Sequence, residues 1–453
     1  MVCRPPGPKA REVLERDRRV ISPSAAREHP LVLERAEGMN LWDLDGNRYL
    51  DFSAGIAVMN TGWNHPSVVK AIREQAGLIT HGAFLDFCEK IPVTLAEEIT
   101  SLLPEGLNRV YYSNSGAESV EAALKLARHH TKRNYFLAFY GGFHGRTYGA
   151  LSLTCSKVIQ REYFGPFLPV IHAPYPDPYR PLGITGHACD VDVIQYIEEE
   201  IFRTEVSPRE VAAIVVEPVQ GESGYIVPPV GFLAGLRELC DKHGIMLVDD
   251  EVQAGCFRTG KFLAIEHSGV VPDIVCLAKA IGGGLPLGVT IASGEVMSWP
   301  PGSHASTFGG NVLSCTAGLA SLRIMKERGF AERVATAGRT FLAKLEDLKS
   351  RHPLIGDVRG RGLMLGMELV LDRATKEPAE KIRDDIVRSA FESGLVLLPA
   401  GQSVIRFSPP LVIGEEDIDA GLAILEKAIE GAETEVPRCE PATEHARECR
   451  SER

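Results

Sequence analysis

The chain has 453 residues, 44% hydrophobic and 24% charged, which suits a globular protein with a large core and, at this length, two or three domains. Its net charge of −11 argues against a nucleic-acid footprint, which needs a basic face, and no run of 18 apolar residues is available to span a membrane. The N-terminal "MVCRPPGPKAREVLERDRRV" lacks the apolar segment of a secretory signal, and the ten cysteines are scattered without C-x-x-C pairs, so a reducing, cytoplasmic setting is expected. The 13 histidines include no H-E-x-x-H pattern, and no metal site is expected.

Along the chain, "LWDLDGNRYLDF" (41–52) predicts a hairpin turning at Asp45-Gly46. "RVYYSN" (109–114) predicts a strand. It is followed by a helix over 116–130, whose apolar positions Val120, Ala123, Leu124 and Ala127 recur at helical spacing. Strands follow over 135–140 and 211–218, then a helix over 231–244 that ends on a glycine. Further strands are expected over 245–251, 273–279 and 288–293. This alternation with apolar strands predicts an α/β fold, a mostly parallel sheet with helices on both faces. From about Gly329, long charged helices surround short strands at 363–370 and 404–412, which implies a smaller α+β domain completed by N-terminal segments. The expected division is an N-terminal segment over 1–60, a large domain over 61–328 and a small domain over 329–435. A polar tail over 436–453 is expected to be disordered.

In an open parallel sheet, ligands bind beyond the carboxyl ends of the strands. Those ends are rich in chemistry here. Ser113–Gly116 opens a helix, a setting that suits a phosphate, although taken alone it is an ordinary N-cap. "GGFHGRT" (141–147) offers Phe143, His144 and Arg146, and "EPVQGESG" (217–224) offers Glu217 and Glu222. "VDDEVQAG" (248–255) ends a strand on two aspartates, and "DIVCLAK" ends another on Lys279. A lysine at the end of an apolar strand needs a reason to be there, because lysine is seldom fully buried. A Schiff-base cofactor gives one. Pyridoxal phosphate needs an amine to hold it, a carboxylate beside its ring nitrogen and donors for its phosphate. A desolvated amine also has a lowered pKa and is nucleophilic near neutrality.

The ordered set "NSGAESVEAALKLAR", "GGFHGRT", "EPVQGESGY", "VDDEVQAGCFRTGKF", "PDIVCLAKAIGGGLPLG", "STFGGN" and "IGDVRGRGLMLGMEL" strongly resembles the class III, fold-type I pyridoxal-phosphate aminotransferases. The resemblance covers roughly residues 25 to 430. It is closest to the branch acting on 4-aminobutyrate and ornithine, to which "APYPDPYR" (173–180) also points. It implies roles residue by residue. Lys279 forms the Schiff base and shuttles the proton, and Asp250 rather than Asp249 pairs with the ring nitrogen. Gln253 bonds the phenolic oxygen, Phe143 and Val252 cover the ring, and His144 belongs to the same cofactor shell. Ser115, Gly116 and Ala117 hold the phosphate, and Thr307 reaches it from a neighbouring subunit, so a homodimer or a dimer of dimers is expected. Arg146 takes the distal carboxylate of the substrate. Glu222 pairs with Arg406 in one half-reaction and releases it to the α-carboxylate in the other. Ile56 and Glu217 complete the substrate site.

Some residues depart from the family pattern. Asp249 is often a small residue in the family, and Cys256 and Phe257 occupy positions that are commonly small or glycine. Asp86 is a candidate for the distal end of the substrate. The expected activity is transfer of an amine from 4-aminobutyrate, or a similar ω-amino acid such as ornithine, to 2-oxoglutarate. The alternative on the same scaffold is an amino-acid racemase, which differs in where the proton returns. A binding protein without turnover is disfavoured by the retained lysine. A nicotinamide reading of "GGGLPLG" fails for want of G-x-G-x-x-G spacing.

Overall fold

The computed structural model describes residues 1–181 and 193–435, so the expected disordered tail lies outside the described residues. The N-terminal strands are β1 (Leu33–Glu37), β2 (Asn40–Asp43) and β3 (Arg48–Asp51). Then come β4 (Arg109–Ser113), β5 (Tyr135–Phe139), β6 (Val170–Ala173), β7 (Val211–Val216), β8 (Met246–Asp250), β9 (Ile274–Leu277) and β10 (Gly288–Ala292). These last seven form one sheet in the order β4-β10-β9-β8-β7-β5-β6. Its pairings are parallel from β9 through β6, while β10 runs antiparallel to both β4 and β9.

Every residue of β7 is buried, because both faces of the sheet are covered. Alternate side chains go to opposite faces. Val215 and Val248 pack with Val120, Leu124 and Ala127 of the helix Gly116–Thr131. Ile214, Val216 and Leu247 belong to the larger core, with Leu236 and Leu239 of the helix Phe232–His243. That helix ends on Gly244 at φ 62°, a left-handed cap where glycine pays no Cβ penalty.

The C-terminal strands are β11 (Ile355–Arg361), β12 (Met364–Asp372), β13 (Glu377–Pro378), β14 (Leu395–Val396), β15 (Leu398–Ala400) and β16 (Val404–Phe407). β11, β12, β16 and β15 form an antiparallel sheet, with β13 on β12. β14 pairs in parallel with β3, closing a second small sheet with the N-terminal hairpin β2–β3. The expected strand over 404–412 ends at Phe407, because Pro409 and Pro410 have no N–H for a ladder.

Arg258 ties these parts together. It is fully buried, and its guanidinium donates to the carbonyls of Leu363 and Pro409 and to Asn60 Oδ1. Burial pushes its pKa down to about 10, with Tyr225, Asp51 and Cys256 acting against that shift. Cys256 and Phe257, just before it, both sit at positive φ (54° and 66°), which is the physical reason small residues or glycine suit these positions.

Candidate active site

The carboxyl ends of β4, β5, β7, β8 and β9 converge on a cavity of about 430 Å³, within the size range of small-molecule sites. Its walls include Ser115, Gly116, Ala117, Phe143, His144, Glu217, Asp250, Val252, Gln253 and Lys279. Ten of the sequence-derived candidates therefore meet in one place.

Lys279 follows β9 at φ +48°, a left-handed conformation for a residue with a Cβ. Such strain costs of order 1–3 kcal/mol and persists where the surroundings impose it, typically at functional sites. Burial lowers the pKa of its amine. The charges of Asp250 and Glu217 act against that shift, Arg406 adds to it and Glu222 opposes it.

Asp250 ends β8. One carboxylate oxygen accepts the backbone N–H of Val252 at 3.1 Å, and the other meets His144 Nδ1 at 2.7 Å. Burial works against a charged imidazole at His144, but the bond to Asp250 and the nearby negative charges outweigh it and hold the pKa above its usual value. Glu217 follows β7 and accepts the backbone N–H groups of Phe143 and Gly221, both at 2.9 Å. It thereby pins the loop that presents Phe143. Burial pushes Glu217 up to about 7.

Ser115 caps the helix Gly116–Thr131, its Oγ accepting from Glu118 N at 3.2 Å. The first turn of that helix opens on the cavity, so its dipole favours an anion there. A Cβ on Gly116 would fall 2.8 Å from Val252 Cγ1, so only glycine lets the helix start so close to that wall. Gln253 Oε1 accepts from Tyr225 Oη at 3.0 Å, leaving its amide nitrogen free of that bond.

The other candidates stand outside the cavity walls. Glu222 and Arg406 are paired, Nη1 to Oε2 at 3.2 Å, close enough to Lys279 for both charges to act on its amine. Arg146 is exposed, its guanidinium 5.8 Å from the Phe143 ring centroid. Ile56 is exposed in a turn in which Ala54, Gly55, Ile56 and Ala57 all have positive φ. Thr307 and Asp86 are exposed on the surface of the single chain.

The model of the family described as aminotransferase class-III matches residues 21–429. The chain belongs to the class III aminotransferases. It is 39% identical over 426 residues to the leucine/methionine racemase of Thermococcus litoralis, covering 93% of this chain and 96% of that protein. It is 42% identical over 402 residues to the acetylornithine aminotransferase of Methanopyrus kandleri (88% and 94% covered). It is 40% identical over 402 residues to a probable 4-aminobutyrate aminotransferase of Bacillus subtilis (87% and 92%). Among solved structures it resembles the taurine:2-oxoglutarate aminotransferase of Bifidobacterium kashiwanohense, in complex with PLP and glutamate. That match has a TM-score of 0.87 at 27% identity, covering 94% of this chain and 99% of that one.

This class III aminotransferase therefore has the fold-type I architecture, and its cofactor is pyridoxal 5'-phosphate. The cavity fits that group: a depressed amine, a buried acid fixed by an imidazole and a helix start built for an anion all face one space.

The sequence reading missed several parts of the site. Val58 and the segment Gly284–Leu287 also line the cavity, and Tyr225 braces Gln253. Lys157 was missed as well, and it lies 3.2 Å from Glu222 Oε1. Its loop, "TCSKV", carries no local signal.

Asp249 and Glu251 flank Asp250 in the chain and lie fully buried, and three of their four carboxyl oxygens have no hydrogen-bond donor among the described residues. Burial, with the Glu251 charge added, holds the Asp249 pKa well above the carboxylate range, and burial pushes Glu251 up to about 7. The unfolded chain ionises both near pH 4, so unfolding releases a proton that the folded pair retains. The pair's contribution is therefore whole below about pH 4 and is lost as pH rises toward 7. Asp249→Ala is expected to flatten this part of the stability profile, raising the urea midpoint at pH 8 more than at pH 5. An equal shift at both pH values would contradict the shared-proton account.

Proposed function

We propose that this class III aminotransferase transfers the amine of 4-aminobutyrate, or a similar ω-amino acid such as ornithine, to 2-oxoglutarate, giving an aldehyde and glutamate. The observation that carries the reading is the Glu222–Arg406 pair beside the cavity. A two-stage enzyme must accept a donor with no carboxylate next to its reacting amine and then an acceptor that has one there. An arginine that is masked in the first case and released in the second meets both needs, and its planar fork suits a carboxylate.

Pyridoxal phosphate, when bound, supplies an aldehyde and an electron sink. Lys279 Nζ would hold the aldehyde and, once displaced by substrate, move a proton from and to the carbon bearing the substrate amine. Asp250 would keep a proton on the ring nitrogen, with His144 fixing the carboxylate in place. The Gln253 amide would bond the phenolic oxygen. Phe143 and Val252 would cover the ring, while Ser115, Gly116 and Ala117 would receive the phosphate. The partner subunit's Thr307 would add to that cradle, and Arg146 and Ile56 would meet the distal end of the substrate. The dimer reading is supported by exposed Leu85, Phe87 and Phe308 on neighbouring segments, joined by Asn311 Nδ2 donating to Thr80 O at 3.0 Å and by the His81–Phe308 ring contact.

A second reading, amino-acid racemisation, is favoured by the relative named as a racemase at similar identity. Racemisation uses the same lysine and acid but returns the proton to the opposite face of the same carbon. One experiment separates the two. Purified enzyme is mixed with 4-aminobutyrate, ornithine, lysine or leucine, and the cofactor spectrum is followed with and without 2-oxoglutarate. The proposal expects an ω-amine to bleach the aldehyde band and 2-oxoglutarate to restore it. Inversion of leucine without any keto acid, with no bleaching by ω-amines, would replace it with the racemase reading.

A further inference from the structure

Glu222 has two cationic partners. Arg406 Nη1 lies 3.2 Å from Oε2, and Lys157 Nζ lies 3.2 Å from Oε1. Each oxygen of one carboxylate therefore faces its own cation. The three groups come from three distant segments: the loop after the helix Tyr148–Leu153, the loop after β7, and β16. Their backbones are anchored. Arg161 donates to the carbonyls of Leu151 and Ser152 beside the Lys157 loop, and Ser156 Oγ donates to Gln160 Oε1 within it. The Glu222 carbonyl accepts Gly401 N at 2.7 Å, and Ser223 Oγ donates to the Gly141 carbonyl. Arg406 is held in the β12–β16–β15 ladder, and its Nε is buried without a partner among the described residues. Arg406 thus has an unused donor for an incoming carboxylate.

When Arg406 turns to a substrate α-carboxylate, Glu222 loses one of its two cations. Without Lys157 it would then stand as a partly buried bare carboxylate next to a second carboxylate, an arrangement that repulsion and desolvation both disfavour. Lys157 prevents this, because it already holds the other oxygen and stays when Arg406 leaves. We propose that Lys157 is a positioning residue that sets substrate choice: it retains Glu222 while Arg406 is engaged by an α-carboxylate, and so stabilises the state that binds glutamate and 2-oxoglutarate over the state that binds the ω-amino donor. This rests on the reading of Glu222 and Arg406 given above. Lys157 is 45% exposed on its side chain, so solvent moderates the effect.

The test uses the holoenzyme with Lys157→Met, which keeps the stem and removes the charge, and Lys157→Arg, which restores it. Binding of glutarate, an unreactive dicarboxylate, is measured by calorimetry, and the two half-reactions are timed separately. Lys157→Met is expected to weaken glutarate about three- to fivefold, the size of a half-exposed ion pair. It should shift the ratio of the half-reaction efficiencies by a similar factor toward 4-aminobutyrate. Lys157→Arg should restore both values. Unchanged glutarate binding in Lys157→Met, or equal loss in both half-reactions, would overturn the assignment. Glu222→Ala separates the two levels. If it alters the half-reaction ratio while Lys157→Met does not, only the role of Lys157 falls. If neither variant alters it, the masked-arginine reading falls as well.

Discussion

Lys279→Ala is expected to fold, to bind pyridoxal phosphate without a covalent link, and to turn over at least ~10⁴-fold more slowly, the upper range for a single acid–base group. The reason lies in the position of the amine. It follows β9 into a cavity where burial depresses its pKa, which favours the neutral, nucleophilic amine. No other lysine is among the residues lining that cavity. The visible band of the cofactor–lysine link should vanish, and borohydride should no longer fix the cofactor to the chain. Stability should hold or rise, because a desolvated amine is removed. Lys279→Gly should gain more, since position 279 sits at φ +48°, where glycine is unstrained. A Lys279→Ala protein that kept the band and turned over normally would refute the assignment.

Asp250→Asn is expected to keep the cofactor and lose about 10²–10³-fold in rate, the scale for removing one well-placed electrostatic partner from a transition state. The amide is nearly isosteric, and its oxygen can still accept from Val252 N or from His144. Geometry is therefore retained and only charge is lost. Two readouts distinguish this from misfolding. The cofactor should remain bound at near wild-type stoichiometry. The His144 imidazole, held above its usual pKa mainly by Asp250 against the effect of burial, should titrate lower, as nuclear magnetic resonance would detect. Near wild-type turnover would remove Asp250 from the mechanism.

The parallel part of the large sheet was legible because its strands must be apolar on both faces. Runs such as Val211–Val216 follow directly from that demand. The chemistry at the strand ends was legible for a related reason: Lys279, Asp250 and Glu217 are expensive to bury and so stand out against apolar neighbours. The antiparallel course of β10 was not foreseen, although a signal existed. Only ten residues separate Leu277 from Gly288, too few for the crossover a parallel neighbour needs. The turn of positive φ at Ala54–Ala57 had no signal, because three of its four residues are ordinary and their conformation is imposed by tertiary packing. Lys157 and Arg258 were missed for another reason. Each acts through partners from distant segments, and a one-dimensional pattern does not register such contacts.

The pairing of β3 with β14 has a consequence for biosynthesis. Asp51 leaves the ribosome roughly 340 residues before Leu395 does. At ~5–20 residues per second, the N-terminal hairpin waits on the order of 20–70 s with one edge unpaired. Through that interval the nascent chain carries an open strand edge, a template for wrong partners. Shielding of that edge by a chaperone during synthesis should therefore raise the soluble yield of this enzyme.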